Sequence, residues 1–250
     1  SGDALIDQRD ALIADPGDRW SVVLANPPFG RSSSTDIGGS ADDGAAIYRQ
    51  DFLVTTSNKQ LNFLQHIMTI VKQSAAVVLP DNVLFEGGAG EALRRKLLKD
   101  FDFHTLLRLP TGIFYSQGVK ANVLFFDRAP ASERIATQEL WVYDLRTNQR
   151  FTLRERPLRR SDLDDFVRAY GAKHRRHERV ESERFRRFTY EELEKRDKLN
   201  LDIFWLKDAS ATDPDSLPPP DEVAAEIVNS LELALEKFRS VAAKLQVTEE

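Results

Sequence analysis

The chain has 250 residues, 41% of them hydrophobic and 30% charged, with a formal net charge of -5. That composition is enough for a packed core and excludes a disordered chain, and no apolar run approaches the length of a membrane span. There are no cysteines, which excludes a disulfide scaffold, a cysteine nucleophile and any cysteine-ligated zinc or iron–sulfur site. The only methionine is Met68 and no signal peptide opens the chain, so the sequence reads as part of a longer protein in a cytoplasmic setting.

In chain order, residues 20–25 read as a buried strand. Residues 61–71 place Leu61, Leu64, Ile67, Met68 and Val71 at helical spacing. A second buried strand is expected over 75–80 and a short helix over 91–99. Residues 105–109 and 122–126 predict two strands joined by a loop that holds Gly112 and Gly118. Strands alternating with helices predict an α/β fold, here the later part of a doubly wound sheet without its first glycine-rich turn. Residues 140–143 and 150–153 are expected to pair as a small hairpin. Residues 154–212 read as a charged helical region, 213–220 as a proline-rich linker, and 221–250 as a helix with one apolar stripe through Val223, Ile227, Leu231, Leu235 and Phe238. Between Arg150 and Lys198 there are 16 basic and 11 acidic residues, so a basic stretch sits on an acidic protein. It suits phosphate contacts, or a solvated face with internal ion pairs.

The most informative residues are Asn26-Pro27-Pro28-Phe29-Gly30, directly after the first strand, where α/β sheets place ligands. They suit one chemistry. An exocyclic amine on a nucleobase is planar and a poor nucleophile because its lone pair is delocalised into the ring. Two acceptors set against its N–H bonds favour a pyramidal nitrogen. The Asn26 side-chain carbonyl supplies one and the Pro27 backbone carbonyl the other, on a loop that proline stiffens. Phe29 offers a flat face to an unstacked base, and Gly30 allows close approach of the backbone.

This motif resembles the catalytic motif of N6-adenine DNA methyltransferases. Further segments are similar to the modification (M) subunit of type I restriction–modification systems: Leu79-Pro80-Asp81-Asn82-Val83-Leu84-Phe85-Glu86-Gly87-Gly88, Leu109-Pro110-Thr111-Gly112-Ile113-Phe114, Gly118-Val119-Lys120-Ala121-Asn122-Val123-Leu124-Phe125-Phe126 and Asn200-Leu201-Asp202-Ile203. The resemblance implies a partial Rossmann-like, S-adenosylmethionine-dependent methyltransferase sheet over 1–153, followed by a helical C-terminal region. It implies that Asn26 and Pro27 bond the target adenine amine within a catalytic motif that includes Pro28, and that Phe29 stacks the flipped base. It also implies that Gly30, Tyr115 and Lys120 border the base or the DNA, and that Asp3 touches the adenine of the methyl donor. The cofactor is S-adenosyl-L-methionine, with its main loop expected upstream of Ser1, so the chain alone is expected to be inactive. The implied partners are double-stranded DNA, a specificity (S) subunit against the 221–250 helix, a second M subunit and a restriction (R) subunit. No membrane is implied.

Other signals are weaker. Glu86-Gly87-Gly88-Ala89-Gly90 reads as a glycine-rich helix entry rather than a cofactor loop. The Ser/Gly/Asp-rich stretch 31–46 reads as a surface loop, or a lid over the extruded base. His174 and His177 lack the further ligands a metal needs, and His66 and His104 fit helix and strand positions. Two alternatives stand beside the DNA methyltransferase: an assembly module without catalysis, and a methyltransferase of this fold acting on a protein glutamine or an RNA base.

Overall fold

The computed structural model describes residues 8, 10–29, 46–115, 119–171 and 173–207. They build a six-stranded sheet of order β1-β2-β4-β3-β5-β6, with β1 Trp20–Ala25, β2 Val71–Pro80, β3 Phe101–Arg108, β4 Ala121–Arg128, β5 Glu139–Asp144 and β6 Phe185–Thr189. β1 is parallel to β2 and β3 to β5, while β4 is antiparallel to both β2 and β3, and β6 to β5. The carboxyl ends of β1, β2, β3 and β5 therefore share one edge with the starts of β4 and β6.

The period-2 alternation of the strands sorts the core into two faces. On one face, α1 (Lys59–Ile70) and α3 (Ala89–Asp100) bury Leu61, Leu64, Leu93 and Leu97 against Val77, Leu79, Leu106, Leu124 and Phe126. Each such side chain contributes on the order of 2 kcal/mol by leaving water. Asn58 caps α1 by accepting from the Gln60 and Leu61 amides. On the other face, Leu107, Leu109, Ala121, Trp141, Tyr143 and Phe185 pack with Phe166 of α4 (Asp164–Tyr170). The short helix α2 (Asn82–Phe85) leads into the glycine-rich entry of α3, where Gly88 takes φ +57 as the helix begins.

Three expectations change. The first strand forms, but among the described residues it is an edge. Val23 and Ala25 pack on the core, while Trp20 (44% exposed), Val22 (59%) and Leu24 (79%) lie open. Their apolarity signals a strand made to be covered, and no described element covers that side. The hairpin of 140–143 with 150–153 does not form, because both sides of β5 are taken: Trp141 lies opposite Thr105 of β3 and Arg187 of β6. The charged region after Ser161 is not all helix. It holds 3₁₀ turns (Arg160–Leu163, Lys173–Glu178), α4, the strand β6 and α5 (Tyr190–Glu194). β6 satisfies the backbone groups on the outer side of β5, a demand that residue composition does not reveal. The proline-rich linker and the 221–250 helix lie outside the described residues.

Far from the shared edge, His104 of β3 is 4% exposed, with Nδ1 2.8 Å from Thr105 Oγ1. Burial, aided by the Arg176 charge, pulls its pKa to about 2. Burial would raise the carboxyl of Asp127 on β4, but hydrogen bonds from Ser74, Lys173 and Arg176 outweigh it and bring that pKa to about 2 as well. Both groups bind protons more readily unfolded than folded, so both make stability rise with pH. Asp127 acts only below its ordinary value of 3.8 and His104 already below 6.5. Urea denaturation between pH 7.5 and 4.5 is expected to show stability falling below pH 6.5 by up to about 1.4 kcal/mol per unit from His104. His104→Gln should flatten that slope; an unchanged slope would assign it elsewhere.

Gly112, in the β3–β4 loop, has φ +82, and a Cβ there would overlap the Phe151 carbonyl. Gly171 has φ +64 and open space around it. Alanine at 171 should cost roughly 1 kcal/mol for backbone strain alone. Alanine at 112 should cost at least about 2 kcal/mol more, because backbone must move. Equal losses for the two variants in chemical denaturation would show that the Phe151 contact is slack.

Candidate active site at the carboxyl edge of the sheet

β1 ends because Pro27 and Pro28 have no N–H to extend the ladder. Asn26 and Pro28 are exposed, Pro27 is buried and Phe29 is half-buried. The first turn of α1 reaches this exit: Gln60 Nε2 donates to the Pro28 carbonyl at 2.7 Å. Gln60 is 5% exposed and its other amide atom, Oε1, has no partner among the described residues. Phe29 meets Phe114 of the β3–β4 loop edge to face, with centroids 5.0 Å apart at 86°. Both rings pack on the cluster of Leu107, Leu109 and Ala121. Two segments 85 positions apart thus make one apolar wall beside the exposed Asn26 carboxamide.

The remaining site residues separate. Tyr115 projects into solvent, 95% exposed. The Lys120 side chain is exposed, while its carbonyl accepts from the Asp81 amide at 3.0 Å. Asp3, Gly30 and the rest of the 31–46 loop apart from Ala46 lie outside the described residues.

Behind the wall lies a polar network that joins the four further motifs. Asp81, at the end of β2, accepts from Asn122 Nδ2 at 2.8 Å and from Arg146 at 2.7 and 2.8 Å. Arg146 also donates to the carbonyls of Leu109 (2.9 Å) and Ala121 (3.0 Å). Arg108, fully buried at the end of β3, bonds the Asp202 carboxylate and the Ile203 carbonyl, lies 3.8 Å from Asp81, and stacks on the Phe204 ring at 4.1 Å. Burial would raise the Asp81 carboxyl, but Arg146, Asn122 and Arg108 hold it below the ordinary carboxylate value. Asp81 is therefore an anion that organises its neighbours, not a proton donor.

Gln60, Phe114, Arg108 and Arg146 belong to this site and were not singled out in the sequence. Phe114 lay inside a recognised segment. Gln60 sits on the core side of an amphipathic helix, and Arg146 is a lone arginine after a strand, so neither carries a motif.

The family model described as N-6 DNA Methylase matches residues 3–210. The type I restriction enzyme EcoKI methylase subunit of Escherichia coli (strain K12) is 39% identical, over 92% of this chain and 47% of its own length. The StySJI methylase subunit of Salmonella typhimurium is 38% identical with the same coverage. The crystal structure of the EcoKI M protein superposes with a TM-score of 0.70 at 36% identity, over 95% of this chain and 53% of that one. A chain from a structure on complex assembly and conformational transition of the type I R-M system gives 0.66 at 25% identity, over 97% and 49%. The chain thus spans about half the length of these relatives. Across residues 3–210, sequence and fold agree, and the chain belongs to the N-6 DNA methylase family.

Proposed function

We propose that this chain is the target-binding part of a type I modification subunit, which transfers a methyl group from S-adenosylmethionine to adenine N6 in DNA. One observation carries this reading: Asn26-Pro27-Pro28-Phe29 leaves β1 at the shared strand edge with Phe114 set against Phe29. In this pocket the Asn26 side-chain carbonyl and the Pro27 carbonyl accept the two N–H bonds of the adenine amine. That aims its lone pair at the incoming methyl. Phe29 stacks the base, and Tyr115 and Lys120, with Gly30 after the motif, border it or the DNA. Rate enhancement comes from positioning and preset dipoles.

The described residues do not by themselves form a donor cradle. β1 runs into prolines and β2 into Asp81. Two of the three glycines at the entry to α3 are already packed: a Cβ at Gly87 would lie 3.3 Å from the Lys198 stem, and one at Gly90 would lie 3.1 Å from Arg94 and Glu86, while Gly88 at φ +57 faces open space. We assign the main donor loop to the preceding part of the longer protein, with Asp3 at its edge. The open apolar side of β1 suits that addition. The same reading gives a cytoplasmic enzyme that acts on double-stranded DNA with a specificity subunit, a second modification subunit and a restriction subunit. The basic stretch 150–198 then meets phosphates or a partner, and the 221–250 helix meets the specificity subunit.

The test is methyl transfer from labelled S-adenosylmethionine to DNA, comparing this chain with an upstream-extended one, each with and without a specificity subunit. Label is expected on adenine N6 only with the extended protein and its partner, and Asn26→Ala should lower the rate roughly a hundredfold or more. An active Asn26→Ala variant, or no label in any combination despite donor and DNA binding, would leave the assembly-module reading. Label on protein or RNA would move the substrate class.

A further inference from the structure

We propose that Arg146 is a positioning residue for methyl transfer: it grips both stems of the β3–β4 loop and so holds Phe114 in place against Phe29. This rests on the methyltransferase reading above.

The chain leaves the sheet after Leu109 and re-enters it at Ala121, and the neck is closed by the Leu109 amide donating to the Ala121 carbonyl at 3.0 Å. Arg146 adds a second closure from one planar group. Its Nε donates to the Leu109 carbonyl at 2.9 Å and its Nη2 to the Ala121 carbonyl at 3.0 Å. The same guanidinium forks onto Asp81, and the Asp81 backbone N–H holds the loop's last residue by donating to the Lys120 carbonyl. Leu109, Lys120, Ala121 and Asp81 are thereby fixed relative to one side chain.

That side chain is itself fixed. The buried Asp144 carboxylate accepts from the Arg146 and Thr147 amides, each at 2.7 Å, and from Thr147 Oγ1 at 2.6 Å, which sets the turn. The Leu145 amide donates to the Arg108 carbonyl at 3.1 Å and ties the turn to β3. Farther along the same segment, the Phe151 carbonyl abuts Gly112. One short segment after β5 therefore supports both the neck and the body of the loop that carries Phe114.

Arginine is required for geometric reasons. The fork spans two carboxylate oxygens while its other edge reaches two carbonyls, and a lysine ammonium cannot reproduce that plane. Four of its five N–H groups are engaged in these bonds, and the side chain is 11% exposed, which leaves it no role in gripping phosphate. The consequence is mechanical: loosening the neck lets Phe114 leave Phe29, and the base wall loses half its surface.

The experiment uses the longer modification subunit assembled with its specificity subunit, after the methylated adenine has been mapped in wild-type product. Arg146→Lys keeps the charge that Asp81 needs. The double variant Arg146→Met/Asp81→Asn removes both charges together, in case the single change fails to fold. Two readouts are taken: single-turnover methylation, and fluorescence of a duplex carrying 2-aminopurine at the target adenine. Both folded variants are expected to lose at least tenfold in kcat and most of the fluorescence rise on binding. Donor affinity should stay within twofold of wild type. Wild-type kcat and fluorescence in either folded variant would overturn the proposal and show the pair to be structural only. A wild-type assembly that methylates no adenine would instead sink the methyltransferase reading, and this inference with it.

Discussion

β4 enters the sheet between β2 and β3 against their direction. That one reversal shapes the site. With parallel neighbours, the connection from β3 would have to cross the sheet by a helix and return at the far end. An antiparallel neighbour allows a direct loop, and this loop opens at the edge where β1 releases Asn26. Phe114 can therefore meet Phe29, and Asn122 at the start of β4 can meet Asp81 at the end of β2. The polar network also follows from direction, since at this edge the ends of β2, β3 and β5 lie beside the start of β4. There Asp81, Arg108, Asn122 and Asp144 stand on neighbouring strands.

A second support comes from behind. Arg94 on α3 is 1% exposed, and burial draws its pKa down to about 10, so it remains charged at neutral pH. Its hydrogen bonds go to four carbonyls: Val83, Glu86, Lys198 and Leu199. Bonds from a charged donor contribute about 1.5–3 kcal/mol each. That is enough to hold Lys198 and Leu199 in the left-handed region, both at φ +51. The turn directs Leu201 and Ile203 into the core and Asp202 onto Arg108. The Asn200-Leu201-Asp202-Ile203 segment is thus a strap across the α-helical face, anchored at one end by Arg94 and at the other by Arg108.

What the sequence revealed and what it hid divide along physical lines. The central strands and α1 were legible because burial on one or both faces imposes a periodicity. The Asn26-Pro27-Pro28-Phe29 segment stood out as a strand exit because two prolines without N–H groups end the ladder of β1. β6 was hidden: Phe185-Arg186-Arg187-Phe188 lacks alternation, and it is a strand because β5 has an edge to satisfy. The same held for the missing hairpin, whose residues matched in pattern while β5 already had two partners. Gln60 and Arg146 were hidden for another reason. Each acts through backbone carbonyls, Pro28 for one and Leu109 and Ala121 for the other, and a carbonyl has no sequence identity to be recognised.

With Asp81 committed to its ion pairs, the exit of β1 and the β3–β4 loop are held by diverse supports. Proline fixes φ at the exit of β1. Gln60 restrains the Pro28 carbonyl from a buried position on α1. Gly112 permits backbone contact where any other residue would force the loop away. The Asp81–Arg146 pair withdraws two charges from water, and a well-packed apolar pair could match its stability. A folded core alone requires none of these features. Together they hold the exit of β1 and the Phe29–Phe114 pair in place, which on the reading proposed above leaves little ordering for a base to drive.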